Sequence, residues 1–142
     1  MRRVVITGLG IVSSLGNNKD EVKSSLYNTS SGISFDQSQK EMGFRSQVSG
    51  QIDLILEETI ERKFLRFMGD GASYNYIAMN EAIEDSRLNE DEISNNMTGL
   101  IMGSGGPSTK SLLRAFDITR EKGQKKIGPT SGPNVMCSTT AA

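Results

Sequence analysis

Val4-Val5-Ile6-Thr7-Gly8-Leu9-Gly10-Ile11-Val12-Ser13-Ser14-Leu15-Gly16-Asn17-Asn18 runs from β-branched apolar residues into glycine, serine and asparagine. Residues 3–7 show no polar alternation, which is the pattern of a strand covered on both faces in an α/β sheet. Gly8, Gly10 and Ser13-Ser14 end the run. Asn18 followed by Glu21 is a capping-box pair. Val22 and Leu26, one turn apart, predict a short amphipathic helix over 19–28. Met1-Arg2-Arg3 ahead of an apolar run imitates a secretory signal, but Thr7, Gly8 and Gly10 interrupt it and no small-residue cleavage site follows.

A similar pattern returns further on. Residues 99–102 predict a second buried strand, closed by Gly103-Ser104-Gly105-Gly106, and Pro107 suits the first turn of the next helix. Leu112, Leu113 and Phe116 give that helix an apolar face, and Gly123 ends it. Asp70 is placed to cap the clearest helix, 71–86, with Ala72, Tyr76, Met79 and Ile83 as its apolar seam. Residues 61–68 predict another helix, with Phe64 and Met68 one turn apart and Arg62, Lys63 and Arg66 on other faces. Gln47-Val48-Ser49 fits a short strand, and residues 52–56 fit either strand or helix. Residues 87–97 read as a polar connection, 127–133 as a loop, and 135–142 as a small, apolar run with no polar cap. Strands alternating with helices make an α/β chain. The uncapped last run predicts that the chain is cut from a longer one.

The 142 residues are room for one domain with a modest core. Leu, Ile, Val and Phe number 33, enough for a folded rather than disordered chain. There is no histidine, which excludes a Ser-His-Asp or Cys-His triad, HExxH zinc sites and any histidine-ligated metal. A single cysteine excludes an internal disulfide and CxxC motifs. The net charge of −1 gives no general case for nucleic acid or membrane binding. No run approaches the roughly 18 apolar residues of a membrane span, and the cytoplasm is the default location.

The motifs divide between chemistry and packing. Gly8-Leu9-Gly10-Ile11-Val12-Ser13 departs from the dinucleotide fingerprint at Ser13, and the next helix begins too late for its amides to meet a pyrophosphate. Gly103-Ser104-Gly105-Gly106-Pro107 lacks the GK[ST] of a phosphate loop; it fits a strand-to-helix turn or a wall that a ligand approaches closely. Cys137 has no histidine to activate it and reads as a small buried residue. Arg62, Lys63 and Arg66, joined by Arg45, Lys122 and Lys125, would suit an acidic protein or a phosphate group if they converge; otherwise they form a solvated face.

The stretch from Val4 to Asn18 resembles the start of the β-ketoacyl-acyl carrier protein synthases, the condensing enzymes of fatty acid synthesis. So do Ser31-Gly32-Ile33, Arg62-Lys63-Phe64-Leu65-Arg66-Phe67-Met68, Gly99-Leu100-Ile101-Met102-Gly103-Ser104-Gly105-Gly106, Ile127-Gly128-Pro129 and Met136-Cys137-Ser138-Thr139. The arginine-rich stretch points to type I over type II elongation synthases. The resemblance implies the N-terminal part of a thiolase-like α/β fold, a mixed sheet covered by helices, incomplete over residues 1–142. It implies a homodimeric acyltransferase that loads an acyl chain onto a cysteine and joins it to malonyl-acyl carrier protein with loss of CO2, using no organic cofactor. The family's nucleophilic cysteine and two histidines lie beyond the matching region, so the chain as given is expected to be inactive.

The resemblance also implies site residues. Gly106 matches a glycine lining the acyl pocket, and Met136 a residue reaching the partner subunit's acyl pocket. Arg45, Arg62, Lys63, Arg66, Lys122 and Lys125 match basic positions that dock the acidic carrier protein. Thr130-Ser131-Gly132 is more polar than the family's usual residues there. A non-catalytic module that docks carrier protein or a synthase subunit is the alternative expectation, and a nucleotide-binding domain, from the glycines after both apolar runs, the third.

Overall fold

The computed structural model describes residues 3–142; Met1 and Arg2 of the signal-like start lie outside them. The residues fall into two compact units, residues 3–54 with Ala78–Leu88, and Ile55–Ile77 with Asn89–Ala142.

The first unit holds helix α1 (Lys19–Tyr27), strand β1 (Ile33–Phe35), helix α2 (Gln37–Glu41), strand β2 (Val48–Gly50) and the second half of the long helix α5 (Asp70–Ser86). α1 starts where the sequence places it: Asn18 Oδ1 accepts from the N–H groups of Asp20 (3.1 Å) and Glu21 (2.9 Å). Glu21 returns the favour one residue earlier than a standard box, accepting from the Asn17 N–H at 2.8 Å. β1 and β2 pair antiparallel with Ser34 opposite Ser49, which confirms a short strand at 48 and shows one at 33. The Asp36 carboxylate caps α2 through Ser38 and Gln39 and accepts from Ser49 Oγ at 2.8 Å. The hydroxyls of Ser38 and Ser49, in that order, hold its pKa well below the usual carboxylate range.

Residues 3–7 do not form the expected buried strand. They pair with no neighbour, and Val4, Val5 and Ile6 are 94%, 74% and 83% exposed. A strand buried on both faces needs a ladder partner and a layer on each side, and none of the described residues supplies them. The chain just after that run is anchored instead by side chains of α5. Asp85 accepts from the Leu9 N–H at 3.0 Å, and Glu81 from those of Ile11 at 2.9 Å and Lys19 at 2.7 Å. Asp85 also pairs with the Lys19 ammonium, which lowers the carboxyl pKa and raises that of the lysine.

The second unit holds α3 (Leu56–Thr59), α4 (Arg62–Leu65), the first half of α5, α6 (Glu90–Ile93), α7 (Thr109–Lys122), a 3-10 turn (Gln124–Lys126), α8 (Ser131–Val135) and a final 3-10 turn (Cys137–Ala141). Its centre is Ile60, Ala72 and Ser73; the Ser73 hydroxyl donates to the Gly69 carbonyl at 3.2 Å.

Several sequence expectations change here. The helix expected over 61–68 keeps only Arg62–Leu65, because Phe67 and Met68 bond back three residues and tighten the chain into a turn. Asp70 is the first residue of α5 rather than its cap: Gly69 supplies the first carbonyl, and the Asp70 carboxylate takes Lys110 at 2.9 Å. Ala72 is buried as the expected seam requires, but Tyr76 is exposed and Ser73, outside that seam, is fully buried. The connection over 87–97 contains α6, whose N-terminus is set by a capping box between Asn89 and Glu92. Residues 99–102 are irregular, with Ile101 95% exposed, for the same lack of strand neighbours. Pro107 precedes the cap, Ser108, rather than opening α7. Leu113 and Phe116 are exposed, while Gly123 ends α7 at φ +83° as expected. The loop expected over 127–133 runs into α8, and Cys137 is exposed because nothing among the described residues packs over it.

Candidate functional site

The second unit carries three adjoining concave surfaces. The first brings Gly106 and Met136 together, with Gly69, Ser108, Cys137 and Thr140 also on its wall. Gly106 sits in the irregular segment before α7, and its carbonyl accepts from Ser104 Oγ at 2.7 Å. A Cβ there would meet nothing within 4 Å, so this wall is open. The other side is built tightly: a Cβ on Gly69 would lie 2.6 Å from the Asn134 carbonyl oxygen, and the Ser108 N–H donates to the Val135 carbonyl at 3.1 Å. Met136 follows α8 and also faces a second, largely apolar groove formed by Phe64, Phe67, Pro133 and Thr139.

The third surface is a polar recess. Arg66, Lys110, Arg114 and Lys126 line it, with Glu57 and Asp70 as its carboxylates and Asn134 at its edge. The Asp70 hydrogen bond raises the pKa of Lys110. Thr130 and Ser131, the polar departures noted in the sequence, open onto this recess and not onto the cavity of Gly106 and Met136.

The six basic positions do not share one place. Arg66 is in the recess, its guanidinium 4.6 Å from the Phe67 ring centre. Lys63 lies 2.7 Å from Glu61 and 4.7 Å from the Phe64 ring centre; such an exposed pair is worth about 0–1 kcal/mol. Arg62 is exposed beside it on α4. Lys122 ends α7 and Lys125 lies in the following 3-10 turn, both exposed and neither in the recess. Arg45 is an exposed residue of the first unit. The recess cations that sequence reasoning missed are Lys110, Arg114 and Lys126. Lys110, Arg114 and Ile118 stand four apart along α7, a spacing that puts them on one helix face and was there to be read.

The family model of the β-ketoacyl synthase N-terminal domain matches residues 1–142. The chain belongs to the β-ketoacyl synthases. The synthase domain is 50% identical over 143 residues to the 3-oxoacyl-[acyl-carrier-protein] synthase 1 of Haemophilus influenzae, covering all of this chain and 35% of that protein. It superposes on the crystal structure of a β-ketoacyl synthase from Burkholderia phymatum STM815 with a TM-score of 0.78 and 29% identity, covering 99% of this chain and 35% of that one. It also matches a type II PKS acyl-carrier protein in complex with its ketosynthase bound to the hexaketide, at TM-score 0.71 and 18% identity, over 96% of this chain and 35% of that one. The synthase domain thus spans about a third of the length of the proteins it matches. The fold is that of the thiolase-like ketosynthases, in agreement with the α/β class expected from the sequence. No described helix is long and apolar enough to cross a membrane.

Proposed function

We propose that this chain is the N-terminal portion of a homodimeric, cytoplasmic 3-oxoacyl-acyl carrier protein synthase of fatty acid synthesis. Identity of 50% over the whole of this chain, matched to about a third of a curated synthase, carries the reading. In the reaction proposed for the whole protein, a cysteine thiolate beyond these residues takes the acyl group from one carrier protein. Malonyl-acyl carrier protein then loses CO2. The electron pair left on its α-carbon attacks the acyl-enzyme carbonyl, and the cysteine leaves as thiolate. The product is a 3-oxoacyl-acyl carrier protein two carbons longer. Histidines outside this segment would stabilise the developing oxyanion; no organic cofactor takes part. The apolar side chains exposed over 3–7 and 99–102 would then be covered by the remainder of a longer protein.

The segment's own share is recognition. Gly106 and Met136 would line the acyl pocket, supported by the cavity they share. Arg45, Arg62, Lys63, Arg66, Lys122 and Lys125 would meet the acidic carrier protein, where complementary charge speeds encounter more than it adds affinity. The exposure of Lys63 and of its neighbours on α4 suits that role.

The test is a condensation assay on the protein of the complete reading frame, with acyl- and malonyl-acyl carrier protein, following CO2 release and the 3-oxoacyl product. Activity is expected there and absent from the 142-residue chain. Lys63→Glu with Arg66→Glu should raise KM for carrier protein about tenfold, with kcat nearly unchanged. A complete protein that binds carrier protein without condensing would replace the enzyme reading with a docking module.

A further inference from the structure

We propose that the recess lined by Arg66, Lys110, Arg114 and Lys126 binds a phosphate-class oxyanion. The inference goes beyond carrier docking and needs no condensing activity. Four cationic residues and two carboxylates, Glu57 and Asp70, line one concavity. Asp70 is already engaged by Lys110 at 2.9 Å. Arg114 and Lys126 make no ion pair among the described residues, so the recess keeps an uncompensated positive charge. Like charges lining one concavity repel one another, and an oxyanion among them converts that repulsion into charge-assisted hydrogen bonds. The Arg114 guanidinium offers the planar fork that suits two oxygens of one phosphate. The hydroxyls of Ser111, Thr130 and Ser131 line the same concavity as neutral donors.

The experiment titrates inorganic phosphate, sulfate and O-phosphoserine into the full-length protein by calorimetry, at low and high NaCl. Saturable phosphate binding is expected, weaker in high salt, with sulfate competing for the same recess. Arg114→Gln and Lys126→Gln should each weaken phosphate about tenfold, while Lys23→Gln, in the other unit, leaves it unchanged. Saturation by phosphoserine as well as phosphate would mean that the recess takes a phosphoryl group carried on a larger molecule; saturation by phosphate alone, the free ion. Either result upholds the proposal. Absence of saturable phosphate binding overturns it, as does equal affinity in wild type and both cation variants. The salt dependence of phosphate binding by the unmutated protein tests the proposal even if a variant fails to fold. Condensing activity without phosphate binding would sink this inference alone.

Discussion

Gly8 with Gly10, and Gly105 with Gly106, stand in comparable places: after an apolar run, before a helix. Their surroundings are opposite. A Cβ on Gly8 would lie 2.0 Å from the Ala82 carbonyl oxygen, and one on Gly10 1.8 Å from that of Ala78. On Gly105 or Gly106 it would meet nothing within 4 Å. The first pair is glycine because helix α5 comes too close for any side chain, and Asp85 and Glu81 on that helix take the neighbouring backbone N–H groups. The second pair borders an open cavity, so its steric demand comes from no described residue. Identical residues in similar patterns thus carry a packing constraint in one unit and free space in the other.

The largest test of this contrast is Gly10→Ala. Overpacking of a well-fitted contact costs about 1–3 kcal/mol, and a methyl group forced against main chain belongs at the top of that range. A denaturant melt showing no loss would mean that α5 does not hold this segment. Acid should act next, and on one side only. Asp85 has a pKa lowered from 3.8 by Lys19 and the Leu9 N–H. A lowered carboxylate contributes stability that is present above 3.8 and lost as pH falls through the folded value. Protection of the Leu9 amide against hydrogen exchange should therefore fall below that pH, while amides around Gly106 stay as they were. Equal loss at both places would remove the carboxylate anchor as the explanation. The smallest effect is expected for Gly106→Ala, within about 0.5 kcal/mol of wild type in the same melt. In the complete protein the same change should narrow acyl-chain preference if Gly106 lines the acyl pocket, so a stable variant with altered chain length would sharpen the contrast.

Local signals were legible where local chemistry decides. Asn18 and Glu21 marked the start of α1, and Gly123 marked the end of α7, because caps depend on a few neighbouring atoms. Asn89 and Glu92 carried the same capping signal for α6, which went unread inside a polar stretch. The apolar runs over 3–7 and 99–102 were read as buried strands, and burial is what a run cannot guarantee: it depends on which other segments arrive to cover it. Exposed Cys137 is the same lesson at one residue. At the site, Arg66 was visible as one of a basic stretch, but its neighbours Arg114 and Lys126 lie far along the chain.

Residue identity and short spacing were enough for the family, for the absence of histidine chemistry within this segment, and for the start of α1 and the end of α7. Only the tertiary structure decided that Gly8 and Gly10 are pinned while Gly106 is free, and that Thr130 and Ser131 open onto the basic recess rather than the cavity of Met136. Those outcomes rest on contacts between segments dozens of residues apart, and a contact of that kind is fixed by packing, not by spacing along the chain.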